Sequence, residues 1–152
     1  MKKTFIIIAA VFAALACLSF TIKAYHDPET VILGSWKEVH WEYDRVSHSA
    51  HIDRAISSDA REVKEMSATD LGIIDAESWV FNPDGSLILS SHHIKKQASW
   101  KIKGRGNILM ITYDNNRVER YNIARLTKGK LELNFDTDAN IRGIAKVSCV
   151  KI

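Results

Sequence analysis

The chain has 152 residues, 46% of them hydrophobic and 26% charged, a composition that predicts one globular domain with a single core. Its 21 Lys and Arg residues exceed its 18 Asp and Glu residues by three. Lys2, Lys3 and Lys23, all near the N-terminus, account for that excess, so the rest of the chain is formally neutral. It also lacks a cluster of basic residues interleaved with aromatic ones. These features argue against a nucleic-acid-binding protein.

Residues 1–24 have the pattern of an export signal. Lys2 and Lys3 form a basic start, residues 5–16 are apolar, and small residues recur as far as Ala24. We therefore expect cleavage near Ala24, a mature domain at 25–152, and a periplasmic, secreted or outer-membrane-attached protein.

Two other fates of this segment stay open. Cys17 follows Ala14-Leu15-Ala16, which is similar to a bacterial lipobox, although an aliphatic residue is usual where Ala14 stands. Residues 5–22 are also long enough to span a bilayer if they are not cleaved. Any membrane attachment is expected through this segment alone. Cys149 is the sole cysteine in 25–152, so no disulfide can form within the domain.

The clearest local signal is a hairpin centred on Asn82-Pro83-Asp84-Gly85. Proline presets the turn backbone, aspartate caps it, and glycine adopts positive φ, so strands are expected at 77–81 and 86–90. Turn-rich segments separate five further predicted strands at 97–103, 108–113, 118–125, 130–135 and 142–151. With a first strand at 34–43, the chain has eight.

Eight sequential strands joined by short connections predict an all-β, antiparallel up-and-down barrel, because closure leaves no exposed sheet edge. Such a barrel can be filled by its own side chains or can hold one small ligand. Alternation of large apolar residues with polar ones predicts which side chains point inward. The predicted ligand-cavity residues are Trp79, Phe81, Trp100, Leu133 and Phe135.

The connection after the first strand departs from this regular spacing. Residues 44–75 are mostly polar, and 60–66 could form a short helix with an N-cap from Ser57, Ser58 or Asp59. A long loop at a barrel mouth can be a lid over a pocket or a plug that belongs to the core. Both interpretations stay open.

Several motifs in order resemble the small exported lipocalin-like domains of Bacteroidetes-type bacteria. They are Ile32-Leu33-Gly34-Ser35-Trp36-Lys37, Trp79-Val80-Phe81-Asn82-Pro83-Asp84-Gly85-Ser86, Ala98-Ser99-Trp100-Lys101-Ile102, and Tyr121-Asn122-Ile123-Ala124-Arg125-Leu126-Thr127 with Leu131-Glu132-Leu133. The resemblance implies a barrel, export and, at family level, binding of a small apolar molecule. It also implies that Gly34 and Trp36 close the barrel base, with Arg142 as the positional candidate for the basic residue that packs on the tryptophan.

Catalytic and metal-binding patterns are weak. No serine lies in a Gly-x-Ser-x-Gly motif, and Cys149 lies in an alternating strand that offers no reason for an activated thiolate. His48, His51, His92 and His93 could in principle converge on a metal, but no further ligand pattern completes the set. We therefore predict a protein that is not an enzyme and has no cofactor or metal.

Two functions compete. The first is binding of a small hydrophobic ligand inside the barrel; the alternative is a structural or protein-interaction module of the cell envelope with a filled barrel. Trp41 and Tyr43 bear on this choice, since strict alternation places them on the face opposite to Trp36. An exposed Val39, Trp41 and Tyr43 stripe would favour a protein partner, whereas a β-bulge would turn these aromatics inward.

Overall fold

The computed structural model describes residues 27–45, 64, 71–137 and 143–152. The predicted signal segment, His48, His51, Arg142 and all of the predicted 60–66 helix except Lys64 lie outside these residues. The elements whose bounds fall within the described residues are a short helix, eight strands and one 3₁₀ turn. In chain order they are α1 (Pro28–Val31), β1 (Gly34–Arg45), β2 (Ser78–Phe81), β3 (Ser86–Ser90), β4 (Lys95–Lys103), the 3₁₀ turn (Gly104–Gly106), β5 (Ile108–Tyr113), β6 (Val118–Leu126), β7 (Lys130–Thr137) and β8 (Gly143–Lys151).

The strands form a closed barrel in which each pairs antiparallel with the next and β8 returns to β1. The prediction of an eight-stranded antiparallel up-and-down barrel is therefore confirmed. Every strand therefore has a hydrogen-bonded neighbour on each side. Among the described residues, no helix is long and apolar enough to span a membrane.

The β2–β3 turn has the geometry that its sequence predicts. Gly85 has φ of 84°, which an L side chain rarely adopts. Asp84 Oδ1 accepts hydrogen bonds from the backbone N–H of Ser86 at 2.8 Å and from its hydroxyl at 2.7 Å. Because proline, aspartate and glycine each perform a separate local task, this hairpin is specified without help from the rest of the fold.

A bulge in β1 changes which residues face the core. Glu38 pairs with Cys149 and His40 with Ser148, so the register against β8 shifts by one residue at Val39. Val39 is 53% exposed, whereas Trp41 and Tyr43 after it are 0% and 1% exposed. The outward placement expected from strict alternation is thus wrong for Trp41 and Tyr43, because the extra residue inverts the parity of the strand.

The strand order gives the barrel two different ends. Helix α1 and the β2–β3, β4–β5 and β6–β7 turns lie at one end, which we call the base. The β1–β2, β3–β4 and β5–β6 connections leave from the opposite end, which we call the mouth. The mouth is the end from which a molecule would enter the barrel, and the base is the far end of the interior.

Candidate ligand site in the barrel interior

The base is sealed by contacts between the two ends of the domain. Trp36 Nε1 donates to the carbonyl of Ile32 at 2.6 Å. Lys151 Nζ lies 5.2 Å from the centre of the Trp36 ring and donates to the carbonyl of Val31 at 3.2 Å. Among the described residues, the basic residue that packs on the motif tryptophan is Lys151, at the end of β8. Arg142, the sequence-based candidate, lies outside the described residues.

The structure at the base also explains why residue 34 is a glycine. Its φ of 107° is unfavourable for any residue with a side chain, and an added Cβ would lie 3.1 Å from Lys151 Cε. Glycine thus lets the first strand start beside the lysine that covers Trp36.

The mouth contains a buried carboxylate whose oxygens are fully used. Glu119 accepts from the hydroxyls of Tyr113 at 2.7 Å and Tyr121 at 2.5 Å, and from the backbone N–H of Gly72 at 2.9 Å. The two hydroxyls donate to Oε2, whereas Gly72 donates to Oε1, and Arg117 Nη2 lies 2.8 Å from that same Oε1. Burial first, and then the Glu119 carboxylate, raise the pKa of both tyrosines, which keeps their hydroxyls protonated as donors.

This network holds the last part of the predicted long loop on the barrel. Ile73 and Ala76 are buried in the core, and Gly72 lies directly against the Tyr113 ring. Residues 71–76 therefore pack as part of the mouth wall. Asp44 and Arg45, the start of the predicted loop, belong to β1, and 46–63 and 65–70 lie outside the described residues.

The five predicted cavity residues all face inward and are buried, but they lie at different depths. Phe81 and Trp100 make an edge contact with ring centres 5.5 Å apart near the base, where Trp100 Nε1 donates to the carbonyl of Asn82 at 3.2 Å. Phe135 contacts Trp41 and Tyr121 edge-on towards the mouth. Trp79 and Leu133 lie between these two levels along the strands, as their pairing partners show.

A group of polar side chains also faces the interior, and we call Glu38, Trp41, Lys64 and Trp79 the interior polar cluster. Glu38 Oε1 lies 2.7 Å from Lys64 Nζ, with 10% and 19% of the two side chains exposed. Lys64 Nζ also lies 5.2 Å from the centre of the Trp41 ring. An ion pair so shielded from water is costly to form and must be matched closely by its surroundings.

Three atoms of this cluster have no hydrogen-bond partner among the described residues: Glu38 Oε2, Trp41 Nε1 and Trp79 Nε1. Both indole groups are fully buried. Burial raises the pKa of Glu38, while Lys64 and the nearby Trp41 indole lower it in part. The Trp41 indole therefore lies beside the Glu38 carboxylate and favours its charged form.

Cys149 faces the same interior, paired across the strands with Glu38. Its burial, followed by the Glu38 charge, raises the pKa of the thiol to about 12. The thiol therefore stays protonated and acts as a small lining group rather than a nucleophile.

The described histidines do not form a metal centre. His92 Nδ1 lies 3.0 Å from Glu77 Oε2, in a largely exposed pair at the mouth. Among the residues that the structure describes, no group of three or more His, Cys, Asp or Glu side chains could hold a metal ion.

Three side chains of the interior and mouth, Glu38, Lys64 and Glu119, were not among the site residues predicted from the sequence. A signal existed for two of them, since Glu38 shares the strand parity of Trp36 and Glu119 that of Tyr121. A carboxylate at an inward parity of a barrel strand marks a buried polar site. Lys64 carries no such signal, because its position follows from the path of the connection after β1.

A closed up-and-down barrel of eight antiparallel strands with an aromatic interior and a short helix at its base is a lipocalin-like fold. No protein-family model matches the chain, and no curated protein matches it. Similar solved structures include a lipocalin-like protein from Bacteroides uniformis, with 12% identity over 80% of this chain and 99% of that chain and a TM-score of 0.47.

A duf4847 family protein from Bacteroides vulgatus is similar at 13% identity over 82% of this chain and 96% of that chain, with a TM-score of 0.45. A third similar structure is a complex of bovine odorant binding protein with a selenium-containing odorant, at 10% identity over 82% of this chain and 72% of that chain, with a TM-score of 0.45. The resemblance predicted from the sequence is the one that these comparisons return.

Proposed function

We propose that this protein binds one small, largely apolar molecule inside its barrel and is not an enzyme. The observation that carries the proposal is a set of three buried polar atoms, on Glu38, Trp41 and Trp79, that have no hydrogen-bond partner in the part of the chain that the structure describes. Buried polar groups in proteins nearly always have a hydrogen-bond partner, protein or otherwise. Three exceptions on neighbouring inward positions are accounted for by a bound molecule that supplies the missing partners.

The energetic cost of burying polar atoms without partners also supports a bound molecule. Each buried donor or acceptor without a partner costs about 1–3 kcal/mol. A barrel whose interior serves stability alone gains nothing from this cost, since phenylalanine or leucine would fill the same positions without it. The apolar residues around the cluster, including Trp79 and Leu133, would hold the body of the ligand by desolvation.

The structural or protein-interaction alternative loses its main support. It depended on an exposed stripe of Val39, Trp41 and Tyr43, and both aromatics are buried. The absence of catalysis is supported by the protonated thiol of Cys149 and by Glu119, whose oxygens are occupied by four donor groups.

Native mass spectrometry of the protein purified gently from its own host tests this function. We expect a co-purifying mass that denaturation releases. A clean ligand-free mass, together with no binding of the apolar fluorophore N-phenyl-1-naphthylamine, would contradict the proposal.

We also propose that the protein is exported, on the basis of the basic and apolar pattern of residues 1–24. The intact mass of the purified protein tests this. Loss of about 24 residues fits cleavage near Ala24, a diacylglyceryl adduct on Cys17 fits lipidation, and the full-length mass in a membrane fraction fits an uncleaved anchor. A full-length mass in the cytosolic fraction would contradict export.

A further inference from the structure

The three unpartnered atoms belong to adjacent positions on the inner wall. Trp36 pairs with Trp79, and the backbone N–H of Glu38 donates to the carbonyl of Glu77 at 2.8 Å, which continues the β1–β2 pairing. Glu38 and Trp79 are therefore diagonal neighbours on one face, about 7–8 Å apart at the backbone. Trp41 is the next inward residue of β1 after the bulge. A group bound between these side chains would therefore have all three as neighbours.

The donors, acceptors and charge of the interior polar cluster restrict which chemical group can bind there. The two indoles offer N–H donors and nothing else, while Glu38 Oε2 offers an acceptor. Since Lys64 already neutralises Glu38, the cluster has no net charge to offer a ligand. A complementary group must both accept and donate, and it must be neutral.

Resting on the proposed function above, we propose that the interior polar cluster binds the head group of the ligand, and that this head is a neutral donor and acceptor such as a hydroxyl. Its oxygen accepts from the indole N–H of Trp41 or Trp79, and its hydrogen is donated to Glu38 Oε2. The ligand class is therefore an alcohol or phenol with an apolar body.

Charged heads fit less well. A carboxylate would face the Glu38 carboxylate in a site that burial has removed from water, and an ammonium group would compete with Lys64 for the same partner. Either would lose its hydration without gaining a counter-charge, which is costly in a buried site.

The test compares three probes of one shape on the protein expressed from its full reading frame: 4-ethylphenol, its methyl isostere 4-ethyltoluene, and charged 4-ethylbenzoate. Affinities are measured by calorimetry and by displacement of N-phenyl-1-naphthylamine. Trp41→Phe and Trp79→Phe each remove one N–H and keep an aromatic ring. Trp100→Phe is the matched control, because the N–H that it removes is already bonded to the carbonyl of Asn82.

We expect the affinity ratio of 4-ethylphenol to 4-ethyltoluene to fall about tenfold in Trp41→Phe or Trp79→Phe and to stay unchanged in Trp100→Phe. The ratio cancels the effect of the lost ring volume, which acts on both probes. Glu38→Gln removes the charged acceptor without changing volume, and we expect it to lower the ratio as well, so the test does not depend on one variant folding.

The outcomes separate the two proposals. If no probe binds and N-phenyl-1-naphthylamine is not taken up, the proposed function fails. If the probes bind but the ratio is the same in all variants, ligand binding stands and the head-group assignment is wrong, as it would be if ordered water satisfied the cluster. If 4-ethylbenzoate binds as tightly as 4-ethylphenol, the head is charged and the assignment is again overturned.

Discussion

Lys151 Nζ lies over the ring of Trp36 and bonds the carbonyl of Val31, so the last strand covers the first tryptophan of the barrel. We expect Lys151→Met, which keeps the aliphatic stem, to lower the free energy of unfolding by about 0.5–1 kcal/mol through loss of the cation–π contact. Urea denaturation measures this change. Lys101→Met, at an exposed outward position of β4, is the control, and equal effects of the two variants would count against a role for Lys151.

Gly72 is predicted to be intolerant of a methyl group. An added Cβ would lie 2.4 Å from the ring of Tyr113, so Gly72→Ala must displace either the tyrosine or residues 71–76. Overpacking of this kind costs about 1–3 kcal/mol. Gly129→Ala is the matched control, since nothing lies within 4 Å of its added Cβ. Thermal unfolding that shows the same midpoint for the two variants would contradict this description of the mouth.

Tyr121 and Glu119 are expected to be energetically coupled. Tyr121→Phe removes a hydroxyl donor to a buried carboxylate, and a hydrogen bond to a charged group contributes about 1.5–3 kcal/mol. A double-mutant cycle with Glu119→Gln, measured by chemical denaturation, should give a coupling energy of about 1 kcal/mol or more. Additive effects would mean that the two side chains do not stabilise each other.

Glu38 should make stability depend on pH with an unusual sign. Its folded pKa is raised above 4.5, mainly by burial, so its stabilising contribution is complete below about 4.5 and is lost as the pH rises through the folded pKa. The free energy of unfolding of wild type relative to Glu38→Gln should therefore fall as pH rises through this window, as followed by urea denaturation at several pH values.

Asp84 provides a comparison of opposite sign. The hydroxyl and the backbone N–H of Ser86 hold the pKa of Asp84 below 3.8. Its contribution is present above about 3.8 and is lost as the pH falls through the lowered pKa. Wild type relative to Asp84→Asn should thus lose stability on acidification.

For the Glu38 prediction, parallel curves of the free energy of unfolding against pH for Glu38→Gln and wild type would show that Glu38 is better solvated than its position indicates.

Much of the barrel follows from local features that act over a few residues. The β2–β3 turn needs only proline, aspartate and glycine in order, and the inward set of β7 follows from the alternation around Leu133 and Phe135. For these elements the preferences of neighbouring residues and the need to bury one face give the same answer, so sequence was sufficient to predict them.

The candidate site depended on the tertiary structure. The bulge at Val39 turns Trp41 inward beside Glu38, and the pairing of β8 with β1 brings Lys151 onto Trp36. Lys64 reaches Glu38 from a connection 26 positions further along the chain. Bulges, register and loop paths are set by pairing between distant strands and by competition for burial. The sequence alone therefore determined that this chain forms a barrel with an aromatic interior, whereas only the closed barrel decided which polar groups face each other inside it.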